Sequence, residues 1–184
     1  MPPKRKYSHI LHEFYGAIWA ILPEKYGAIE RIVDDMEAGI QVDQATAKLR
    51  LQHDAEIMAK LGHDDDQAGG FEVRDGVGVV SMVGTILKRP RLFGNLSGLV
   101  SADEVLQQVD QAFADDRVKH GVVINASTPG GVCEGISECS RGIRKHRDSG
   151  RKVVSVVNGL MASAGMWIGS AAKEVVINSD GIAG

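Results

Sequence analysis

The sequence contains the same local pattern twice: a buried strand, a glycine-containing turn and the start of a helix. The apolar run Val122–Ala126 leads into Ser127-Thr-Pro-Gly-Gly131, and the run Val153–Val157 leads into Asn158-Gly-Leu-Met-Ala-Ser-Ala-Gly165. Short apolar runs bounded by turn residues are typical of strands buried in a sheet. If the two strands are parallel neighbours, both turns lie side by side. This arrangement restricts the fold more than any other feature of the chain.

Ser163 is the candidate nucleophile, because it lies where the second strand passes into a helix. We predict a turn at Asn158-Gly159 and a helix from Ser163 to about Ala172. Such junctions leave backbone N–H groups unpaired, so bare amides of Gly131 and Ala164 would flank one carbonyl oxygen beside the Ser163 hydroxyl. Serine is also a favoured N-cap, and Pro-Gly-Gly is a common turn. The residues alone therefore leave an acyl-transfer site and a plain helix cap both open.

Three segments occur in a fixed order within residues 77–184. They are Ser127-Thr-Pro-Gly-Gly131, the strand Val153–Val157, and Ala162-Ser-Ala-Gly-Met-Trp-Ile-Gly-Ser-Ala-Ala172 with the following Glu174-Val-Val-Ile177. Together they resemble the signal peptide peptidase A family of serine proteases, which includes the head-maturation proteases of tailed bacteriophages. An ordered match over about 100 residues is more specific than either glycine motif alone.

The resemblance implies a fold and a set of site residues. The implied fold is the α/β fold of the Clp protease and crotonase superfamily, a spiral of ββα units. The family's nucleophile falls on Ser163 and its oxyanion-hole glycine on Gly131, to which the Ala164 amide is added. An extended substrate would pair with the edge near the Pro-Gly-Gly turn, which makes Gly130 and Val132 substrate-binding residues.

Two departures from the family pattern concern the site. The family has Asp-Ser before Pro-Gly-Gly, where this chain has Ser127-Thr128. The family's general base is a lysine some fifty residues beyond the serine, so its position would fall after Gly184. Lys152 precedes the strand that leads to Ser163, and a helix would carry Lys173 about 15 Å away, so neither suits this role. We therefore expect a catalytic domain that is incomplete at its C-terminus and lacks the dyad lysine.

The chain divides into a helical N-terminal segment (residues 1–62), a linker (63–70) and a protease-like α/β domain (71–184). Helical periodicity extends from Leu11 to Gly39 with a break at Leu22-Pro23, and a second helix is predicted over Gln44–Leu61. Strands and helices alternate from Val77 to Ile177, which predicts an α/β class with a largely parallel sheet.

Four smaller elements are predicted within the α/β domain. Phe71–Val83 should form a hairpin around Asp75-Gly76, and Gly84–Val100 an exposed basic loop. Ser101 with Glu104 forms a capping box for an amphipathic helix. The next helix is predicted from about Val132 to Arg147. Neither His120 nor His146 has an acidic partner at an obvious spacing, so neither is favoured as a triad histidine.

Composition limits the partners and cofactors. A net charge of -3 and a pI near 6.1 give no support for nucleic-acid binding. The apolar run Phe14–Leu22 is too short to span a membrane, and Cys133 and Cys139 are expected to be reduced, so we expect a cytoplasmic location, in the host cytoplasm or an assembling virion. His9 with His12 makes a poor metal site. No cofactor or metal is predicted.

The favoured function is a serine endopeptidase with a Ser/Lys dyad. The resemblance implies a homo-oligomer that processes phage capsid or scaffold proteins during head assembly. Two alternatives stay open: a crotonase-type acyl-CoA enzyme, which would use the two amides without a serine nucleophile, and a non-catalytic assembly or scaffold subunit.

Overall fold

The structure is a computed structural model that describes residues 8–40, 70–88 and 98–184. The N-terminal part contains α1 (Ser8–Gly16), β1 (Trp19–Ile21) and α2 (Pro23–Glu37). The predicted helix Gln44–Leu61 and nearly all of the 63–70 linker lie outside the described residues. The proposed division into three segments therefore stays a prediction.

The remaining elements alternate as the sequence predicts. In chain order they are β2 (Glu72–Arg74), β3 (Val77–Val83), β4 (Thr85–Leu87), β5 (Leu99–Ser101), α3 (Ala102–Ala114), β6 (Gly121–Thr128), β7 (Gly130–Val132), α4 (Ile136–Asp148), β8 (Val153–Met161), α5 (Ala164–Gly169), β9 (Glu174–Ile177) and β10 (Ile182–Ala183). The predicted α/β class is confirmed. No helix of the described parts of the chain is both long and apolar enough to cross a membrane.

Two sheets share these strands. The larger has the order β10-β8-β6-β3-β2, with β9 also paired to β8, and its central strands β3, β6 and β8 are parallel. The smaller has the order β1-β7-β4-β5. The helices α3, α4 and α5 cover the larger sheet, and the core between them includes Val109, Ile124, Ile143, Val157 and Ile168, none of which is exposed. The two strands that carry the sequence motifs are therefore parallel neighbours, as expected.

The segment after β6 differs from the predicted turn and helix start. β6 continues through Thr128, and Gly130–Val132 forms β7 in the other sheet, so the chain changes sheets at Pro129. Proline lacks the N–H that a ladder needs, which suits it to this change of sheet. The helix predicted from Val132 begins at Ile136, after Gly135 in the left-handed region (φ 86°). The prediction of a tight turn followed directly by a helix was wrong here.

The segment around Ser163 also differs in its element bounds. The predicted turn at Asn158-Gly159 is part of β8, which continues to Met161, and the helix predicted to reach Ala172 ends at Gly169. The β6/β8 register shifts within this stretch, and the Asn158 amide donates to the Asn125 side-chain oxygen of β6 across it (2.6 Å). Ser163 nevertheless keeps its predicted place at the junction of strand and helix.

The N-terminal elements pack on the smaller sheet. Phe14 is fully buried and its ring stacks on that of Tyr26, with Trp19 at a ring-centre distance of 5.2 Å. This second core also contains Leu87 of β4 and Val132 of β7. The sequence predicted a continuous helical pattern up to Leu22, and the strand β1 was missed. Its Trp-Ala-Ile sequence becomes a strand because β7 offers it an edge to pair with.

Predictions for the smaller elements had mixed outcomes. The hairpin is confirmed, with Asp75 and Gly76 both at positive φ (49° and 77°). The helix cap is also confirmed, because the Ser101 hydroxyl accepts from the Glu104 N–H (3.4 Å). The loop predicted over Gly84–Val100 is wrong at Thr85–Leu87, which forms a buried strand. Residues 89–97 of that loop lie outside the described residues.

Candidate active site

Ser163 has an unusual backbone conformation. Its φ of 52° and ψ of -114° make it one of two non-glycine residues with positive φ in the described parts of the chain. Its side chain makes no capping hydrogen bond to the helix α5, and the residue is exposed. A serine held in a strained turn between strand and helix with its hydroxyl facing solvent is typical of hydrolase nucleophiles. The simple role of an N-cap does not describe it.

Backbone hydrogen bonds hold Ser163 from both sides. Its N–H donates to the Gly184 carbonyl oxygen (2.8 Å), and its carbonyl oxygen accepts from the Trp167 N–H (3.0 Å). The preceding Ala162 N–H donates to the Thr128 carbonyl oxygen (3.0 Å), which joins this turn to the end of β6. The conformation is therefore imposed by the surrounding backbone and not by the serine side chain.

Close packing between the two turns depends on a glycine and a threonine. A Cβ on Gly165 would lie 2.2 Å from the Thr128 methyl group, so only glycine fits there. Thr128 is fully buried, and its hydroxyl accepts from the Gly130 N–H (3.2 Å). Sequence reasoning missed Thr128, although threonine two residues before a glycine amide is a known turn signal.

The two turns meet at Gly130. A Cβ on this residue would lie 3.1 Å from Ser163 Cβ, so the serine side chain lies against the Pro-Gly-Gly backbone. Ala164 is the first residue of α5, a position whose N–H has no acceptor within the helix. The structure thus brings Ser163, Ala164 and Gly130 together, as the sequence predicts.

The Gly131 amide is not bare. β1 pairs antiparallel with β7, with Ala20 opposite Gly131. The Cys133 N–H donates to the Ile18 carbonyl oxygen (2.8 Å), and the Leu22 N–H donates to the Pro129 carbonyl oxygen (3.1 Å). Bonded pairs alternate along an antiparallel ladder, so the pair between these two also exchanges hydrogen bonds, and the Gly131 N–H donates to the Ala20 carbonyl oxygen. The expectation of two unoccupied amides is corrected for Gly131 and stays a prediction for Ala164.

The two lysines considered from the sequence lie far from Ser163. The Lys173 N–H donates to the Val153 carbonyl oxygen (2.9 Å) at the start of β8, and Lys152 precedes the same strand. A strand of this length spans about 27 Å, and Ser163 follows its other end. Neither lysine can accept the Ser163 proton.

His146 has a partner that sequence spacing did not reveal. Its Nε2 lies 2.5 Å from Asp110 Oδ1, and its ring stacks on Phe113. His146 belongs to the last turn of α4, which leads to the start of β8, so the pair lies at the end of the sheet remote from Ser163. Within the described residues no cluster of three or more potential metal ligands occurs.

Comparison with known proteins gives two phage relatives. The chain is 29% identical over 147 residues to "Capsid assembly protease C" of Escherichia phage lambda, covering 79% of this chain and 32% of that protein. It is 28% identical over 120 residues to "Head-tail preconnector protein GP5" of Enterobacteria phage P21, covering 62% of this chain and 24% of that protein. The chain thus spans about a third or less of the length of these relatives. The similarity to phage head proteins that the sequence motifs indicate is confirmed.

Other comparisons give less. No protein-family profile matches the sequence. Among solved structures, an enoyl-CoA hydratase/isomerase family member has a TM-score of 0.45 at 18% identity, covering 64% of this chain and 50% of that one. A probable enoyl-CoA hydratase from Mycobacterium smegmatis has a TM-score of 0.40 at 16% identity, covering 61% of this chain and 49% of that one. Likeness at this level does not bear on activity.

Proposed function

We propose that this chain carries the nucleophile and the oxyanion-binding backbone of a serine endopeptidase of phage head assembly. The observation that carries the proposal is the conformation of Ser163, which is strained, exposed and not used as a helix cap. Strain of this kind costs about 1–3 kcal/mol and persists where the surrounding structure imposes it, often at functional sites. The name of the lambda relative, a capsid assembly protease, agrees with this chemistry.

In the proposed reaction the Ser163 hydroxyl attacks a peptide carbonyl carbon. The carbonyl oxygen becomes an oxyanion, and the Ala164 N–H donates a hydrogen bond to it, as does the Gly131 N–H once the Ala20 carbonyl oxygen has left that amide. The leaving amine departs with a proton, and water then releases the acyl group from Ser163. A substrate strand pairs with β7 through the backbone of Gly131, and Gly130 and Val132 flank that residue in the strand.

The proton acceptor in this proposal is a lysine. A neutral amine must lie within hydrogen-bond reach of the Ser163 hydroxyl, and burial must lower its pKa so that it is uncharged near neutral pH. Lys88 is ill suited because its amine is held by the Glu134 carboxylate. The resemblance places the base some fifty residues after Ser163, beyond Gly184.

The proposed substrates are capsid or scaffold proteins, and the proposed assembly is a homo-oligomer in the host cytoplasm or the assembling virion. The names of both relatives refer to parts of the phage head, which supports substrates of this class. No cofactor takes part in the proposed reaction.

A serine-directed fluorophosphonate tests the proposal on the product of the complete reading frame. We expect covalent labelling at Ser163, and loss of peptide hydrolysis by about 10⁴-fold or more in Ser163→Ala. Ser170→Ala is the matched control, because Ser170 is also exposed, directly after α5, and its hydroxyl donates to the Trp167 carbonyl oxygen (3.1 Å). Labelling at another serine, or hydrolysis that survives Ser163→Ala, would reject the assignment.

One observation favours a second candidate, a non-catalytic assembly subunit. The P21 relative is named as a head-tail preconnector protein, which describes a structural part. Casein turnover by the complete protein separates the two functions. An assembly subunit would show no turnover, and Ser163→Ala would not affect particle formation. A protease would show turnover, and Ser163→Ala would impair particle formation.

A further inference from the structure

The edge of β7 next to Ser163 already holds a peptide strand of the chain itself. Residues Ile18–Leu22 run antiparallel to Pro129–Cys133, with hydrogen bonds at both ends of this stretch. An extended peptide bound to a sheet edge makes these same contacts. Along the chain, this strand lies between α1 and α2.

This strand lies close to the Ser163 side chain. A Cβ on Gly130 would lie 2.3 Å from the Ala20 carbonyl oxygen, 3.1 Å from Ile21 Cα and 3.1 Å from Ser163 Cβ. The Ala20–Ile21 peptide group and the Ser163 side chain therefore lie next to the same position, the one that a Cβ on Gly130 would occupy. The Ala20 carbonyl oxygen also accepts from the Gly131 N–H, the amide assigned to the oxyanion.

Side chains on this strand anchor it in two directions. Trp19 and Ile21 pack against the core around Phe14 and α2, whereas Ala20 packs against the core of the larger sheet. Ile18 is 78% exposed and contributes mainly its backbone. The site thus accepts an extended segment with a small residue at the Gly131 amide and larger apolar residues on both sides of it.

We propose that Ile18–Leu22 is a built-in peptide ligand that occupies the substrate strand position, and that any other peptide must displace it to reach Ser163. This inference rests on the proposed function, because the position is a substrate position only in a protease. Its test does not require catalysis, because displacement of β1 is measured as peptide binding. If β1 leaves β7 in only a fraction of the molecules, the affinity for an external peptide is reduced by that fraction. Two opposite changes, one locking β1 in place and one releasing it, measure the effect.

The lock uses a native cysteine. Ile18 and Cys133 are a hydrogen-bonded cross-strand pair, for which Cα atoms lie about 5.5 Å apart, within the range that a disulfide spans. Ile18→Cys should therefore form a reversible disulfide with Cys133 that fixes β1 on β7. Cys139 should not compete, because burial raises the pKa of its thiol to about 12 and the thiolate is the reacting form.

The release uses Ala20→Pro. Proline has no N–H to donate to the Gly131 carbonyl oxygen, so one bond of the ladder is lost at its centre. Ile18→Ala is the matched control, because it truncates an exposed side chain of the same strand and leaves the backbone bonds in place.

The probe is a fluorescein-labelled peptide with the sequence of residues 15–24, and its binding is followed by fluorescence anisotropy. All proteins carry Ser163→Ala, so the measurement needs no catalysis. We expect the oxidised Ile18→Cys protein to bind the peptide about tenfold more weakly than its reduced form. We expect Ala20→Pro to bind it about tenfold more tightly than the parent, with Ile18→Ala unchanged.

Equal affinities in the oxidised and reduced forms would overturn the inference, as would an absence of binding in every form. The disulfide arm decides alone if Ala20→Pro does not fold. Failure of fluorophosphonate labelling at Ser163 would reject the protease while leaving this competition measurable, so the two proposals fail separately.

Discussion

The two turns that follow β6 and β8 look alike in sequence but differ in structure. The turn after β6 is buried, and its glycines are paired with β1 on one side and β4 on the other. The turn after β8 presents Ser163 to solvent with a strained backbone and an unused hydroxyl. The first turn is thus a fixed platform, and the second carries the proposed nucleophile. This difference should appear in opposite responses to small substitutions.

The largest effect is expected at Gly131. A Cβ there would lie 1.9 Å from the Ile86 carbonyl oxygen, which is backbone and cannot move aside. We expect Gly131→Ala to lower the free energy of unfolding by about 3 kcal/mol in urea denaturation. Gly27→Ala is the control, since nothing lies within 4 Å of that position on α2 and alanine should stabilise the helix slightly. Similar results for the two variants would contradict the platform role.

A smaller loss is expected at Thr128. Thr128→Val keeps the shape but removes the hydroxyl that accepts from the Gly130 N–H, leaving a buried donor without a partner. The expected cost is about 2 kcal/mol in the free energy of unfolding. Thr85→Val provides the comparison, because the buried Thr85 hydroxyl has no hydrogen-bond partner among the described residues. Thr85→Val should leave the free energy of unfolding unchanged or raise it. An equal loss in both variants would mean that the Thr128 hydroxyl does not stabilise the turn through Gly130.

The smallest effect should have the opposite sign. Ser163→Gly removes the Cβ that makes a φ of 52° costly, so we expect the free energy of unfolding to rise by about 1 kcal/mol. Ser170→Gly should lower it, because Ser170 has ordinary helical backbone angles (φ -68°). A destabilised Ser163→Gly protein would mean that the serine conformation is not strained, and the contrast between the turns would weaken.

Local signals were enough to predict the strands around the candidate site. Alternating strands and helices predict the parallel β6 and β8 and place Ser163 between a strand and a helix, whereas its role as nucleophile rests on the family resemblance and stays a proposal. The Asp75-Gly76 hairpin and the Ser101 cap also follow from residues close in sequence, because each needs only a few neighbouring backbone groups.

Features that depend on distant partners were not predictable. The hydrophobic pattern around Trp19–Ile21 favours a helix. These residues form a strand because they pair with β7, which lies far from them in the sequence. β8 continues past Val157 because Leu160 and Met161 pair with β10, and Met161 also pairs with Thr128 of β6. The occupied Gly131 amide follows from the same β1 pairing, which no local rule could indicate.

The hydrogen bond from the Ser163 N–H to the Gly184 carbonyl oxygen has a practical consequence for protein engineering. Any reporter group attached at Gly184 lies one hydrogen bond away from the Ser163 backbone. Its bulk alone would block inhibitors directed at Ser163, so labels for such assays are safer at positions remote from this turn.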